Sequence, residues 1–240
     1  MTNTAAWTSS RDTTLGMNFT GVSYYDGQAF MVASDLGVQS AKELDGAAVC
    51  TQSGTTSELN LSDYFRINNM TYDAVVFDSP EQSIAGFEAG RCDVLSSDAS
   101  QLYAQRIQLA DPNMAVVLPE IISKEPLGPA VRQGDDQWFN IVKWSLFAML
   151  NAEELGVSQA NVDEQLSSDN PDVMRLLGQD GDFGEAMGLS SDWAYQIVKQ
   201  VGNYADIYDR NVGADSDFNI ARGLNALWKD GGIQYAPPIR

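Results

Sequence analysis

GAAVCTQSGTTSEL (46–59) runs from an apolar stretch into a cluster of hydroxyl residues around one glycine. Ala47, Ala48, Val49 and Cys50 read as the heart of a buried strand over 46–52, with a helix following from about Thr55 to Asn68. The junction between them admits two readings. Ser53 or Thr55 can act as an N-cap, with Glu58 completing a capping box. The same Ser-Gly-Thr-Thr also gathers backbone N–H and side-chain O–H donors at a helix N-terminus, where the partial positive charge favours an anion.

The pattern continues downstream. AVVFDS (74–79) reads as a second strand and PEQSIAGFEAGR (80–91) as a helix opening on proline. CDVLSSD (92–98) reads as a third strand and ASQLYAQRIQLAD (99–111) as a third helix. Strands alternating with helices predict a parallel sheet wound by right-handed crossovers. Ligands of such sheets bind at the carboxyl ends of the strands. Here those ends carry Ser53-Gly54-Thr55-Thr56, Ser79 and Ser96-Ser97-Asp98.

Longer extended stretches, 19–34 and 114–134, flank this block and predict a lobe inserted into another lobe through two crossing segments. Beyond Gly134 the chain turns helical. DDQWFNIVKWSLFAMLNAEEL (135–155) aligns Trp138, Ile141, Val142, Leu146, Met149 and Leu150 along one stripe, and shorter helical pieces follow to residue 240.

Composition narrows the chemistry. The net charge of -19, with only 14 Lys and Arg in 240 residues, argues against nucleic acid and anionic membranes as partners. No apolar run approaches the roughly 20 residues of a membrane-spanning helix. The absence of histidine removes Ser-His-Asp and Cys-His catalysis and most zinc and iron sites. Cys50 and Cys92 are too few for a thiolate metal site; they read either as a disulfide of an oxidising compartment or as two buried thiols. No metal or cofactor is expected.

The chain resembles the periplasmic amino-acid-binding proteins of ABC transporters, particularly the general L-amino-acid type. The resemblance is carried by WTSSRDTTLGMNFTG, YYDGQAFMV, KELDGAAVCTQSGTTSELNLSDYF, AGRCDVLSSDASQLYA, ISKEPLGPAVRQGDDQWF, VGNYADIYDRNVG and GLNALWKDGGIQYAPPIR. It implies an α/β, type II binding-protein fold of two lobes that closes on a ligand. Residues 25–123 would form a complete, parallel-sheet lobe 2, 1–24 a remnant of lobe 1, and 124–240 the return to lobe 1 with a helical extension.

The resemblance also implies a site. Arg11 would grip the ligand's α-carboxylate with a planar fork. Gly54, Thr55 and Thr56 would donate to the same carboxylate, and Asp98 would bind the α-ammonium. Trp7 either lines the side-chain pocket or packs, Asp98 alone could equally cap the helix of 99–110, and Tyr24 and Tyr25 read as packing aromatics of a crossing segment. The implied partners are an L-amino acid and a membrane permease, in the periplasm, without enzymatic activity.

Two departures from the family pattern stand out. The segment before Trp7 reads NTAA, so Ala5 and Ala6 offer only backbone groups where relatives carry hydroxyls. The chain also begins beyond the stretch with which relatives open lobe 1, which leads to the expectation of a partial lobe 1 with exposed apolar faces, rescued by homodimerisation or strand exchange. The competing expectations are a dehydratase-like enzyme on the same fold, which needs a second carboxylate opposite Asp98, and a ligand-independent interaction protein.

Overall fold

The computed structural model describes residues 3–240. Its elements begin with β1 (Asn3–Ala6), α1 (Ser9–Thr13), β2 (Met17–Phe19) and β3 (Tyr24–Asp26). The middle of the chain follows as β4 (Gln28–Ala33), β5 (Ala47–Gln52), α2 (Thr56–Ile67), β6 (Tyr72–Phe77), α3 (Pro80–Glu88), β7 (Val94–Asp98), α4 (Ala99–Arg106) and β8 (Ala115–Val117). The chain closes with β9 (Glu125–Arg132), α5 (Asp136–Glu154), α6 (Val162–Gln165), α7 (Pro171–Leu176), α8 (Trp193–Val201) and α9 (Tyr204–Asn211). These elements cluster into two units, one of the residues up to Tyr25 with Pro126–Arg240, the other of Asp26–Glu125.

The unit of Asp26–Glu125 is built on a five-stranded sheet of order β6-β5-β7-β4-β8. β5 runs parallel to β6 and to β7, as the strand–helix alternation requires. β4, however, is antiparallel to both β7 and β8. The sheet is therefore mixed rather than parallel throughout. The reason is connectivity: a helical crossover imposes parallel pairing only on the strands it joins, and β4 enters without one.

Helices cover both faces, so the inner strands are apolar on both sides. Along β4, Phe30 and Val32 pack with Val49, Val94, Leu61 and Phe65 on one face. Ala29 and Met31 pack with Cys50, Leu95, Phe87 and Leu102 on the other. Full burial of a side chain such as Phe30 contributes about 1.5–3 kcal/mol. Cys50 and Cys92 are joined in a disulfide, with Cα atoms 5.7 Å apart.

In the other unit β9 is the central strand, antiparallel to β1 and β2 and paired with β3. A Cβ on Gly128 would fall 1.9 Å from the Gly21 carbonyl oxygen, so only glycine lets these backbones approach. α5 is buried along two lines rather than one stripe. Ala148 and Ala152 pack with Val157, Leu177 and Val198, while Leu146 and Leu150 pack with Tyr204, Tyr208 and Leu227. Trp138, expected on the buried stripe, is 39% exposed because it lies in the first turn, ahead of both clusters.

The C-terminal segment is tied in by polar contacts. Arg222 pairs with Glu153 at 3.0 Å and lies over the rings of Tyr204 and Tyr208. The Tyr204 hydroxyl donates to the Ser23 carbonyl at 2.8 Å. Buried Asn225 mimics a neighbouring strand: its Oδ1 accepts from the Tyr25 N–H at 2.7 Å, and its Nδ2 donates to the Tyr25 carbonyl at 3.0 Å. Tyr24 stacks on Tyr208.

Candidate functional site

The turn after β5 is set by Gly54, whose φ of +68° an L side chain would strain. Thr55 is the N-cap of α2. Its hydroxyl donates to the Gln52 carbonyl at 2.8 Å and accepts from the Glu58 N–H at 3.4 Å. Glu58 reaches back one residue further than a capping box, its Oε2 accepting from the Gly54 N–H at 2.9 Å. The Gly54 amide and the Thr55 hydroxyl are thus engaged within the turn. Thr56, exposed at the first helical position, keeps its N–H and hydroxyl without hydrogen bonds among the described residues.

β7 lies beside β5 in parallel, pairing Val49 with Val94 and Cys50 with Leu95, so both strands end on the same edge of the sheet. Fully buried Gln28 ties this edge together, donating to the Ser57 carbonyl at 2.9 Å and to the Ser96 hydroxyl at 2.8 Å. β7 ends at Asp98, which holds the N-cap position of α4 without a side-chain cap hydrogen bond. Asp26 caps instead. Its carboxylate accepts from the Ser100 N–H at 3.4 Å and from the Ser100 hydroxyl.

Asp98 is a half-buried carboxylate. Burial, reinforced by the charges of Asp26 and Glu125, pushes its pKa up to about 6 from an ordinary 3.8. A group in this condition gains most from a cation brought to it.

Arg11 and Trp7 belong to the other unit. Thr8 caps α1 by accepting from the Arg11 N–H at 3.4 Å. The half-buried Arg11 guanidinium donates one N–H from Nη1 to the Ala6 carbonyl at 2.8 Å, and no acidic side chain pairs with it among the described residues. Trp7 stacks on buried Phe19, ring centroids 5.4 Å apart and planes 9° from parallel. Gly54, Thr55, Thr56 and Asp98 are therefore brought to one sheet edge. Sequence reading overlooked Asp26 and Gln28, since no local rule joins Asp26 to Ser100 across 74 residues.

No family model matches the chain. The general L-amino acid-binding periplasmic protein AapJ of Rhizobium johnstonii is 57% identical to it over 242 residues, covering 100% of this chain and 71% of AapJ. The chain belongs to the amino-acid-binding proteins of ABC transporters. BztA of Rhodobacter capsulatus, a glutamate/glutamine/aspartate/asparagine-binding protein, is 50% identical over 237 residues, covering 98% of this chain and 70% of BztA. Among solved structures, an ABC transporter periplasmic binding protein from Brucella ovis with glutathione bound superposes with a TM-score of 0.91 at 53% identity. That match covers 98% of this chain and 75% of the other. The fold of this ABC-transporter binding protein is accordingly the α/β, type II periplasmic one, with mixed sheets.

Proposed function

We propose that this chain is a periplasmic, non-catalytic receptor that binds the zwitterionic head of L-amino acids and delivers it to a membrane permease. The observation that carries the proposal is the half-buried Asp98 carboxylate, relieved of capping, on the same sheet edge as the open donors of Thr56. Asp98 takes the α-ammonium. Thr56, at the N-terminus of a twelve-residue helix, donates to the α-carboxylate with support from the helix dipole. Arg11, which pairs with no acidic side chain among the described residues, supplies a fork to the same group. Gly54, whose N–H is bonded to Glu58, and Thr55, whose hydroxyl is bonded to Gln52, act through those groups by shaping the turn. Trp7, stacked on Phe19, serves in this reading as an aromatic wall for the ligand's side chain.

This division of labour recognises the head group and leaves the remainder of the ligand open. It accommodates single amino acids and also a γ-glutamyl peptide, whose glutamyl end carries a free α-carboxylate and α-ammonium. Isothermal titration against L-glutamate, L-glutamine, L-arginine, L-alanine and glutathione tests the reading, with N-acetyl and α-methyl ester derivatives as controls. Binding abolished by either modification is expected, with the ligand recovered unchanged. Binding of N-acetylglutamate as tight as that of glutamate would overturn the proposal, and turnover would favour an enzyme.

A further inference from the structure

We propose that Asp26 is a positioning residue for ammonium recognition: by capping α4 it leaves the Asp98 carboxylate available to the ligand. The inference rests on the amino-acid-binding reading given above. A helix that starts directly after a strand needs acceptors for its first N–H groups, and aspartate at the N-cap position normally supplies one. Asp98 has the residue type and the position for that task and does not perform it.

The reason lies in the segment leading into β4. The Asp26 Oδ1 accepts from the Gly27 N–H at 2.9 Å and from the Ser100 N–H, while Oδ2 accepts from the Ser100 hydroxyl. The Gly27 carbonyl accepts from the Ala99 N–H at 2.8 Å, and the next residue, Gln28, is the register partner of Asp98. The path of this segment is fixed by close packing, since a Cβ on Gly27 would meet the Ser123 carbonyl oxygen at 2.4 Å. Asp26 is thus held against the first turn of α4, and Ser100 offers it two donors.

The same placement has an electrostatic consequence. Asp26 and Glu125, from the segments entering and leaving this unit, are the charges that hold the Asp98 proton more tightly. β4 carries no titratable side chain, and β5 contributes only bonded Cys50. On α2, Glu58 is engaged by Gly54 and Asp63 by Arg66, while Tyr64 packs on Phe30. α3 carries Glu81 and Glu88, the latter accepting from the Ala110 N–H, and α4 ends with Arg106 over the Tyr103 ring. An arriving ammonium therefore meets a locally anionic sheet edge and displaces a proton from Asp98 at mildly acid pH.

Two variants separate the roles. Asp26→Asn keeps an oxygen for Ser100 and removes the charge, whereas Asp26→Ala removes the cap. Carboxyl carbon NMR of the ligand-free protein, with the Asp98 signal identified through Asp98→Asn, should show the Asp98 midpoint lower by about one pH unit in Asp26→Asn. In titrations with L-glutamate at pH 7.5, Asp26→Ala should lose about tenfold in affinity, as Asp98 is drawn back to cap α4, with Asp26→Asn closer to wild type. An unchanged Asp98 midpoint in Asp26→Asn, or full affinity in a folded Asp26→Ala, overturns the proposal. Wild-type protein that binds none of the amino acids would instead sink the binding reading, and the NMR measurement, which needs no ligand, still decides whether Asp26 controls Asp98. Circular dichroism reports folding, and if Asp26→Ala fails to fold the Asp26→Asn titration decides alone.

Discussion

Asp26 caps the helix that begins after Asp98, through hydrogen bonds from the N–H and hydroxyl of Ser100, 74 residues away. One carboxylate satisfies the helix, and the other is held half-buried near like charge, where its ionised form is strained until a cation arrives.

The first expected outcome concerns pH. The folded protein holds the Asp98 proton up to about pH 6, whereas the unfolded chain releases it near 3.8. Between those values the folded state binds more protons, so Asp98 makes stability fall as pH rises, and the full cost is present above pH 6. Asp98→Asn should therefore melt above wild type at pH 7.5, with the gap closing towards pH 4. Ligand affinity should run the other way. Ammonium binding requires the carboxylate, so wild-type affinity should weaken about tenfold per pH unit below about 6, and Asp98→Asn should bind poorly at every pH. Calorimetric titrations at pH 5, 6 and 7.5 check this, and a flat profile would exclude Asp98 as the ammonium partner.

The two threonines at the start of α2 should part company. Thr55 is the cap, with its hydroxyl bonded to Gln52 and Glu58. Thr55→Val should cost about 1 kcal/mol of stability, read as a lower denaturation midpoint. Thr56 makes no such bonds among the described residues. Thr56→Val should leave the midpoint unchanged and weaken amino-acid binding by about ten- to a hundredfold, consistent with the loss of one hydrogen bond to a charged group of about 1.5–3 kcal/mol. Equal effects of the two changes on affinity would reject the division between cap and donor.

The alternation of apolar runs with helical segments made the strand–helix units of residues 46–106 legible, because the inner strands β5 and β7 are buried on both faces and read as continuous apolar sequence, while the edge strand β6 keeps an apolar run although it is partly exposed. The orientation of β4 was not legible: Gln-Ala-Phe-Met-Val-Ala is equally apolar whichever way it runs. Helix α4 stops at Arg106 where the sequence suggested 111: residues 107–111 run in turns and bends ahead of the 3-10 turn at Pro112–Met114. At the site, Thr55 and Glu58 could be read as a helix start from their spacing alone. That Glu58 engages Gly54, and that Asp26 engages Ser100, depends on tertiary approach, on which local spacing is silent.

The disulfide between Cys50 and Cys92 spans 42 residues of the unit formed by Asp26–Glu125. Closing a loop of that length in the unfolded chain is worth about 4 kcal/mol in the chain-entropy account. Reduction, or Cys50→Ala with Cys92→Ala, should lower the denaturant midpoint of this unit and leave unfolding of the other unchanged. Thiol titration of the denatured, unreduced protein should find no free thiol. Two free thiols there would mean that the cysteines are buried side by side without bonding.

Arg11 offers the sharpest contrast between a charge and a fork. Its Nη1 donates to the Ala6 carbonyl at the end of β1, so removing the side chain also frees a backbone acceptor. Arg11→Ala should lower both the melting temperature and the affinity, the latter by at least about 2 kcal/mol, or roughly thirtyfold. Arg11→Lys keeps a positive charge and one donor for Ala6, so the fold should hold. An ammonium cannot place two parallel N–H groups on a carboxylate, and its affinity for amino acids should still fall about tenfold. The measurement is a pair of melting curves beside a pair of titrations. If Arg11→Lys binds like wild type, Arg11 contributes only charge; if Arg11→Ala does, the carboxylate is held by Thr56 and the α2 N-terminus without it.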